Sequence, residues 1–185
     1  MRGKEAILEE YLVAGARLGD EDAARKLVAL RGPRMLSHAW RLVGNGEDAR
    51  DVVQDAWVEI LRGLPSLRDD RAFAAWAYRI VTRRAARTVT QKARRRRMEH
   101  DAAVESENME DAAGPAAADA VAVRRAIRAL PPDHAAAIAL FYLEDMSVAE
   151  VAVALDIPPG TVKTRLMHAR SKLNEALKGG DDEQA

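Results

Sequence analysis

From Ser147 to Leu173 the chain writes two apolar stripes at helical spacing, split by a segment no single helix can cross. Val148, Val151, Ala152 and Leu155 form the first stripe, recurring at a period of about 3.6 residues. Ser147 stands just before it with Glu150 three residues on, the pattern of a capping box. Asp156 follows, a residue that tolerates the left-handed conformation better than most. Pro158 and Pro159 then forbid continuation of the first helix, and a proline at a first helical position is pre-organised to begin a second. Thr161, Val162, Leu166, Ala169 and Leu173 supply the inward stripe of that second helix. Lys163, Thr164, Arg165, Met167, His168 and Arg170 are left outside, with Lys172 extending the cationic face. The layout is that of a helix-turn-helix, whose second helix lies in a DNA major groove. Periodicity alone fits an ordinary amphipathic hairpin with a solvated charged face equally well.

Charge distribution separates these readings better than charge total. Formal net charge is zero over 185 residues, which argues against a general nucleic-acid coat. Yet Arg71 to Met98 carries ten Lys and Arg and no acid, whereas Glu99 to Asp119 carries seven acids and no Lys or Arg. Ten uncompensated cations in 28 residues repel one another, and a polyanionic partner is the economical explanation. The chain has no cysteine, which suits a reducing cytoplasm, and no apolar run or signal-peptide core for a membrane.

Alanine, leucine and arginine dominate and β-branched runs are short, so the expected fold class is all-α. Residues 4 to 30 read as one or two helices interrupted at Gly19-Asp20. Residues 33 to 43 read as another, closed by Gly44-Asn45-Gly46. Glu47 to Leu64 reads as a strong helix with Val53, Ala56, Trp57, Ile60 and Leu64 inward and Asp48, Asp51, Asp55 and Glu59 outward. After a break at Pro65-Ser66, Arg71 to Arg95 reads as a long helix. It has Phe73, Trp76, Ala77, Ile80 and Val81 inward and Arg79, Arg83, Arg87 and Arg94 opposite. Met98 to Ala118 has little apolar content and cannot offset chain entropy, so it is expected to be a flexible acidic linker. A second helical unit then runs from about Asp119 to Lys178, broken at Leu130-Pro131-Pro132. The expected organisation is residues 1–98, a linker 99–118, a second unit 119–178 and a disordered tail 179–185.

The acidic row of Glu47 to Leu64, beside Gln54, fits a docking face for a basic partner, although unaided the solvated face of an amphipathic helix is the better reading. Trp76, with Tyr78 nearby on the basic helix, could stack on unpaired bases, but Phe73 and Trp76 share the apolar stripe and fit a core better. The acidic linker could fold back on Arg94-Arg95-Arg96-Arg97 and screen it when DNA is absent. His38, His100, His134 and His168 are scattered without metal-ligand spacing, and no nucleophile motif or glycine-rich phosphate loop is present. No catalytic residue, cofactor site or metal site is expected.

Two blocks together resemble the extracytoplasmic-function (ECF) group of bacterial RNA polymerase sigma factors. The first is GEDARDVVQDAWVEILRGLPSLRDDRAFAAWAYRIVTRRAARTVTQKARRRR, Gly46 to Arg97. The second is LPPDHAAAIALFYLEDMSVAEVAVALDIPPGTVKTRLMHARSKL, Leu130 to Leu173. The resemblance implies a transcription initiation factor that binds core polymerase, directs it to promoters and helps melt DNA. It implies a polymerase-binding face at Asp48, Asp51, Gln54 and Asp55, with Trp57 and Ile60 as apolar backing. It implies a minus-ten surface at Arg68, Arg79, Arg83, Arg87 and Arg94. It implies a minus-thirty-five surface at Thr161, Lys163, Thr164, Arg165, His168 and Arg170. The expected partners are core RNA polymerase, promoter DNA and an anti-sigma factor, for a cytoplasmic protein monomeric when free. The sequence departs from the family pattern at Arg83, Asp156 and Pro158, where Asn, Gly and Ser are usual. In the family the minus-ten surface holds a flipped base, whose identity the first departure leaves open, and the last removes a side-chain cap from the recognition helix. A decoy that sequesters an anti-sigma protein and a stand-alone helix-turn-helix regulator are the alternatives. The first lacks a receiver domain, and the second leaves Gly46 to Arg97 unexplained.

Overall fold

A computed structural model describes residues 4–99, 126–127 and 129–178. The chain divides into two compact units, residues 1–107 and 108–185. Among the described residues all regular structure is helical, and no helix is long and apolar enough to cross a membrane. The acidic segment, the tail, and Val121 and Val123 lie outside the described residues.

Among the described residues the first unit packs four α-helices: α1 (Lys4–Arg17), α2 (Glu21–Val43), α3 (Gly46–Gly63) and α4 (Phe73–Glu99). Asp20 caps α2, its carboxylate accepting from the backbone N–H of Asp22 and Ala23 at 2.9 and 3.1 Å. Gly44 closes α2 at φ 82°, a left-handed position that favours glycine. Asn45 caps α3. The expected break before Pro33 is absent, and α2 runs straight through it. Leu27, Arg31, Met35, His38 and Ala39 are all buried, so one continuous inner face crosses the proline. Packing against α1 and α3 therefore offsets the roughly 3 kcal/mol cost of a proline in a helix interior. Arg31 is held inside by Glu9 of α1, whose Oε1 accepts from Nε at 2.6 Å while Oε2 accepts from Nη2.

Two 3-10 turns, Leu64–Ser66 and Asp70–Ala72, join α3 to α4. At Gly63 a Cβ would lie 3.0 Å from the Trp76 ring, so glycine is what lets α4 come this close. Ala56, Ile60 and Leu64 from the α3 side and Phe73, Tyr78 and Val81 of α4 are all buried in the core of this unit. Tyr78 is fully buried beside His38, with ring centroids 5.1 Å apart, and so it is core and not part of a stacking surface.

The second unit contains Ile127 and Leu130, then α5 (Pro132–Tyr142), α6 (Val148–Leu155) and α7 (Pro159–Lys178). Ile138, Leu140, Met146, Val151, Ala154, Leu155, Val162, Leu166 and Ala169 form its core. The capping box forms as expected: Ser147 Oγ accepts from the Glu150 N–H at 3.2 Å, and Glu150 Oε2 accepts from the Ser147 N–H at 2.8 Å. Asp156 adopts φ 56°, ψ 44°, and its N–H bonds back into α6. The Pro158 carbonyl accepts from the N–H of Thr161 and Val162 at 3.0 and 3.2 Å, opening α7 without a side-chain cap from Pro158. Thr161, expected inward, is exposed. Val162 takes the buried position, and the stripe continues at four- and three-residue steps through Leu166 and Ala169.

Candidate functional site

On α3, burial follows the helical period, and Val52, Val53, Ala56, Trp57 and Ile60 face inward. Asp51, Gln54, Asp55 and Glu59 are exposed, as expected. Val58 and Leu61 share that face and are 45% and 40% exposed. Their three- and four-residue steps from Asp51, Gln54 and Asp55 could have found them in the sequence. The outer face is thus mixed acidic and apolar, which lets a basic partner meet complementary charge beside apolar contacts. Trp57 lies buried beneath it, as expected of apolar backing.

Asp48 departs from the expected arrangement. It is only 8% exposed, and Lys92 Nζ of α4 lies 2.6 Å from its Oδ2. Asn45 Nδ2 also donates to that oxygen at 2.6 Å. Asp48 sits three residues before Asp51, on the flank of α3 that α4 covers, so it is a structural anchor rather than part of the outer face. Asp55 and Glu59 are exposed but engaged. Arg84 of α4 donates Nη1 to Asp55 at 3.0 Å, and Nε and Nη2 to Glu59 at 2.9 and 2.7 Å. No local pattern points to Arg84, because its contacts join residues 25 and 29 positions apart.

The expected basic surface forms on α4. Arg79, Arg83, Arg87 and Arg94 are exposed and follow one another at turn spacing. Phe73 is fully buried, whereas Trp76 is half-buried, one step before Arg79 on the same side. Arg68 is exposed between the two 3-10 turns. The end of that loop is fixed by Arg17, whose Nη1 donates to Asp70 Oδ1 at 2.6 Å. Exposed arginines thus run along α4 beside a half-buried indole and follow a loop pinned at its end, a combination that suits an unpaired nucleic-acid strand.

On α7, Thr161, Lys163, Thr164, His168 and Arg170 are exposed, joined by Met167, and Arg165 is half-buried. Both arginines touch α5. Arg165 Nη2 donates to Asp133 Oδ2 at 2.7 Å. Arg170 Nε donates to the Tyr142 hydroxyl at 2.9 Å, and its guanidinium lies 5.8 and 5.6 Å from the Phe141 and Tyr142 ring centres. His134 and His168 face each other with centroids 6.0 Å apart. Burial, then the charges of Lys172, His168 and Arg165, hold the His134 imidazole below its usual range. The exposed strip is what a major groove could admit, with cations along its edges for phosphates.

The comparisons with known proteins divide the chain in the same way. Residues 27–95 match the family model "Sigma-70 region 2" and residues 120–173 match "Sigma-70, region 4". The chain is 32% identical to the ECF RNA polymerase sigma-E factor of Escherichia coli K12 over 186 aligned residues, covering 94% of this chain and 96% of that relative. It is 30% identical to the RNA polymerase sigma-H factor of Pseudomonas aeruginosa PAO1 over 183 residues, 91% of this chain and 93% of the relative. Among solved structures, the Bartonella quintana sigma factor RpoE, in complex with the anti-sigma factor NepR, matches with a TM-score of 0.71 and 23% identity, covering 83% of this chain and 96% of that one. CnrH, in complex with the cytosolic domain of CnrY, matches with a TM-score of 0.62 and 26% identity, covering 93% and 98%.

Proposed function

The chain belongs to the sigma-70 family, in its extracytoplasmic-function group, and we propose how its surfaces divide the work of a promoter-directing initiation factor. It binds core RNA polymerase and directs it to promoter DNA. In this reading α3 docks on the polymerase through Asp51, Gln54 and Asp55, with Val58 and Leu61 as apolar contacts. The face of α4 with Arg79, Arg83, Arg87 and Arg94, together with Arg68 of the preceding loop, meets the minus-ten element and holds an unpaired strand. Unstacking a base costs a few kcal/mol, which base stacking and charge contacts offset. Helix α7 reads the minus-thirty-five element through Thr161, Lys163, Thr164, Arg165, His168 and Arg170. The two readers are residues 1–98 and 119–178, linked by the acidic residues 99–118 and followed by the tail 179–185. The protein acts in the cytoplasm, has no catalytic activity of its own, is monomeric when free and is regulated by an anti-sigma factor.

The observation that carries this reading is the pairing of an exposed acidic-apolar helix with an adjacent arginine stripe in one unit and a capped helix-turn-helix in the other. Neutral net charge with separated basic blocks implies weak DNA binding alone and strong binding as holoenzyme. Changing Asp51 and Asp55 to Lys tests it by polymerase pull-down and run-off transcription. Loss of holoenzyme with an unchanged circular dichroism spectrum is the expected result. Undiminished assembly removes the docking assignment. Tight promoter binding by the isolated protein at physiological salt removes the division of labour.

A further inference from the structure

We propose that Asp133, in the first turn of α5, is a positioning residue for Arg165, so that promoter discrimination is shared between α5 and α7. The proposal rests on α7 being the minus-thirty-five reader. Asp133 and Arg165 are 32 residues apart and meet in one hydrogen-bonded ion pair, Nη2 to Oδ2 at 2.7 Å. The Asp133 side chain is 64% exposed and that of Arg165 only 22%. The pair thus lies at the rim of the helix pair, with the carboxylate on the open side. Only one guanidinium nitrogen is committed to it. Among the described residues Nε and Nη1 make no hydrogen bond, so donors remain for a base edge or a phosphate.

The geometry matters because an unsupported arginine has several rotatable bonds to freeze when it reads a base. A carboxylate holding one edge of the fork removes much of that freedom beforehand, as outer partners do for metal ligands. The carboxylate also has a cost. A negative charge on a surface that meets a polyanion weakens binding to every sequence. Asp133 therefore trades general affinity for directed contact at one position. A role confined to folding would have no such signature. The neighbouring pair supports the placement: His134 follows Asp133 and faces His168, so the first turn of α5 lies along the Arg165–His168 flank of α7. Arg170, by contrast, leans on the Tyr142 and Phe141 rings, which hold a cation without adding negative charge.

The test uses holoenzyme assembled from core polymerase and the full chain, with a randomised minus-thirty-five library as probe. Wild type, Asp133→Asn, Asp133→Glu, Arg165→Ala and the Asp133→Asn, Arg165→Ala double variant are compared. Asp133→Asn is expected to lose about threefold to tenfold discrimination at the same base pair as Arg165→Ala. Binding to unrelated DNA should hold or strengthen. Asp133→Glu should restore part of the discrimination, and the double variant should be no worse than Arg165→Ala alone. Unchanged discrimination in Asp133→Asn, with a position-specific loss in Arg165→Ala, overturns the proposal and leaves α7 as the reader. An even loss across all sequences in Arg165→Ala makes it a phosphate contact and overturns the proposal together with its base-reading premise. Thermal denaturation of each variant separates these outcomes from loss of fold.

Discussion

Lys92 Nζ lies 2.6 Å from Asp48 Oδ2, tying the distal half of the long basic helix α4 to the first turn of α3. Asn45, the cap of α3, donates to the same carboxylate oxygen, and its own Oδ1 accepts from the Asp48 N–H at 2.9 Å. The acidic helix and the arginine stripe are thereby held in a fixed relation. Asp48→Ala is expected to lower stability by about 1–3 kcal/mol, because a buried charge-assisted contact is lost. Asp51→Ala, on the exposed face, should stay within about 0.5 kcal/mol of wild type. Urea unfolding of the two variants checks the contrast, and equal midpoints would contradict the anchoring role.

Arg84 ties down two of the acids that α3 presents. Because all three groups are partly exposed, Arg84→Gln should cost only about 0.5–1 kcal/mol of stability. Its effect on docking is expected to be larger than its effect on folding. Removing the cation leaves Asp55 and Glu59 uncompensated, so binding to core polymerase should fall more steeply with ionic strength than in wild type. Titrating holoenzyme formation against salt for both proteins measures this, and parallel curves would refute it.

His38 should make stability depend on pH. Burial, with Arg41 nearby, pushes its imidazole down to about 3 from an ordinary 6.5. Its Nε2 lies 3.0 Å from Thr82 Oγ1, whose own hydrogen goes to the Tyr78 carbonyl, so Nε2 donates. Below pH 6.5 the unfolded chain takes a proton that the fold refuses. The contribution is therefore full above 6.5 and is lost as pH falls toward 3, by at most about 1.4 kcal/mol per pH unit. His38→Phe should flatten the stability profile of wild type across that window. A difference curve with no slope there would exclude a neutral buried imidazole.

Two positions around α6 should respond with opposite sign. Ser147→Ala removes one half of the capping box and is expected to cost about 1 kcal/mol. Asp156 holds a left-handed φ of 56° with a side chain, so Asp156→Gly should stabilise the second unit by up to about 1 kcal/mol. Thermal unfolding of both variants tests the pair. Destabilisation by Asp156→Gly would mean that the Asp156 side chain contributes more than its backbone conformation costs.

Local chemistry makes much of this protein legible in its sequence. Ser147 with Glu150, Asp156, and the Pro158-Pro159 pair act within a few residues of themselves, so the helix-turn-helix could be read directly. The exposed acids Asp51 and Asp55 and the arginine stripe Arg79-Arg83-Arg87 followed from a helical period that depends only on spacing. Pro33 misled because local propensity was outweighed by a buried face running from Leu27 to Ala39.

The sequence by itself determined the helices, their caps and the exposed stripes, since these are set by residues within a turn or two of one another. Only the tertiary structure decided which charges remain available. Asp48 was withdrawn into a contact with Lys92, Arg84 was laid across Asp55 and Glu59, and Arg165 was handed to Asp133. Each of these pairs joins residues 25 or more positions apart. A hydrogen bond forms over about 3 Å. No pattern of neighbours along the chain can tell which distant carboxylate packing will bring within that reach.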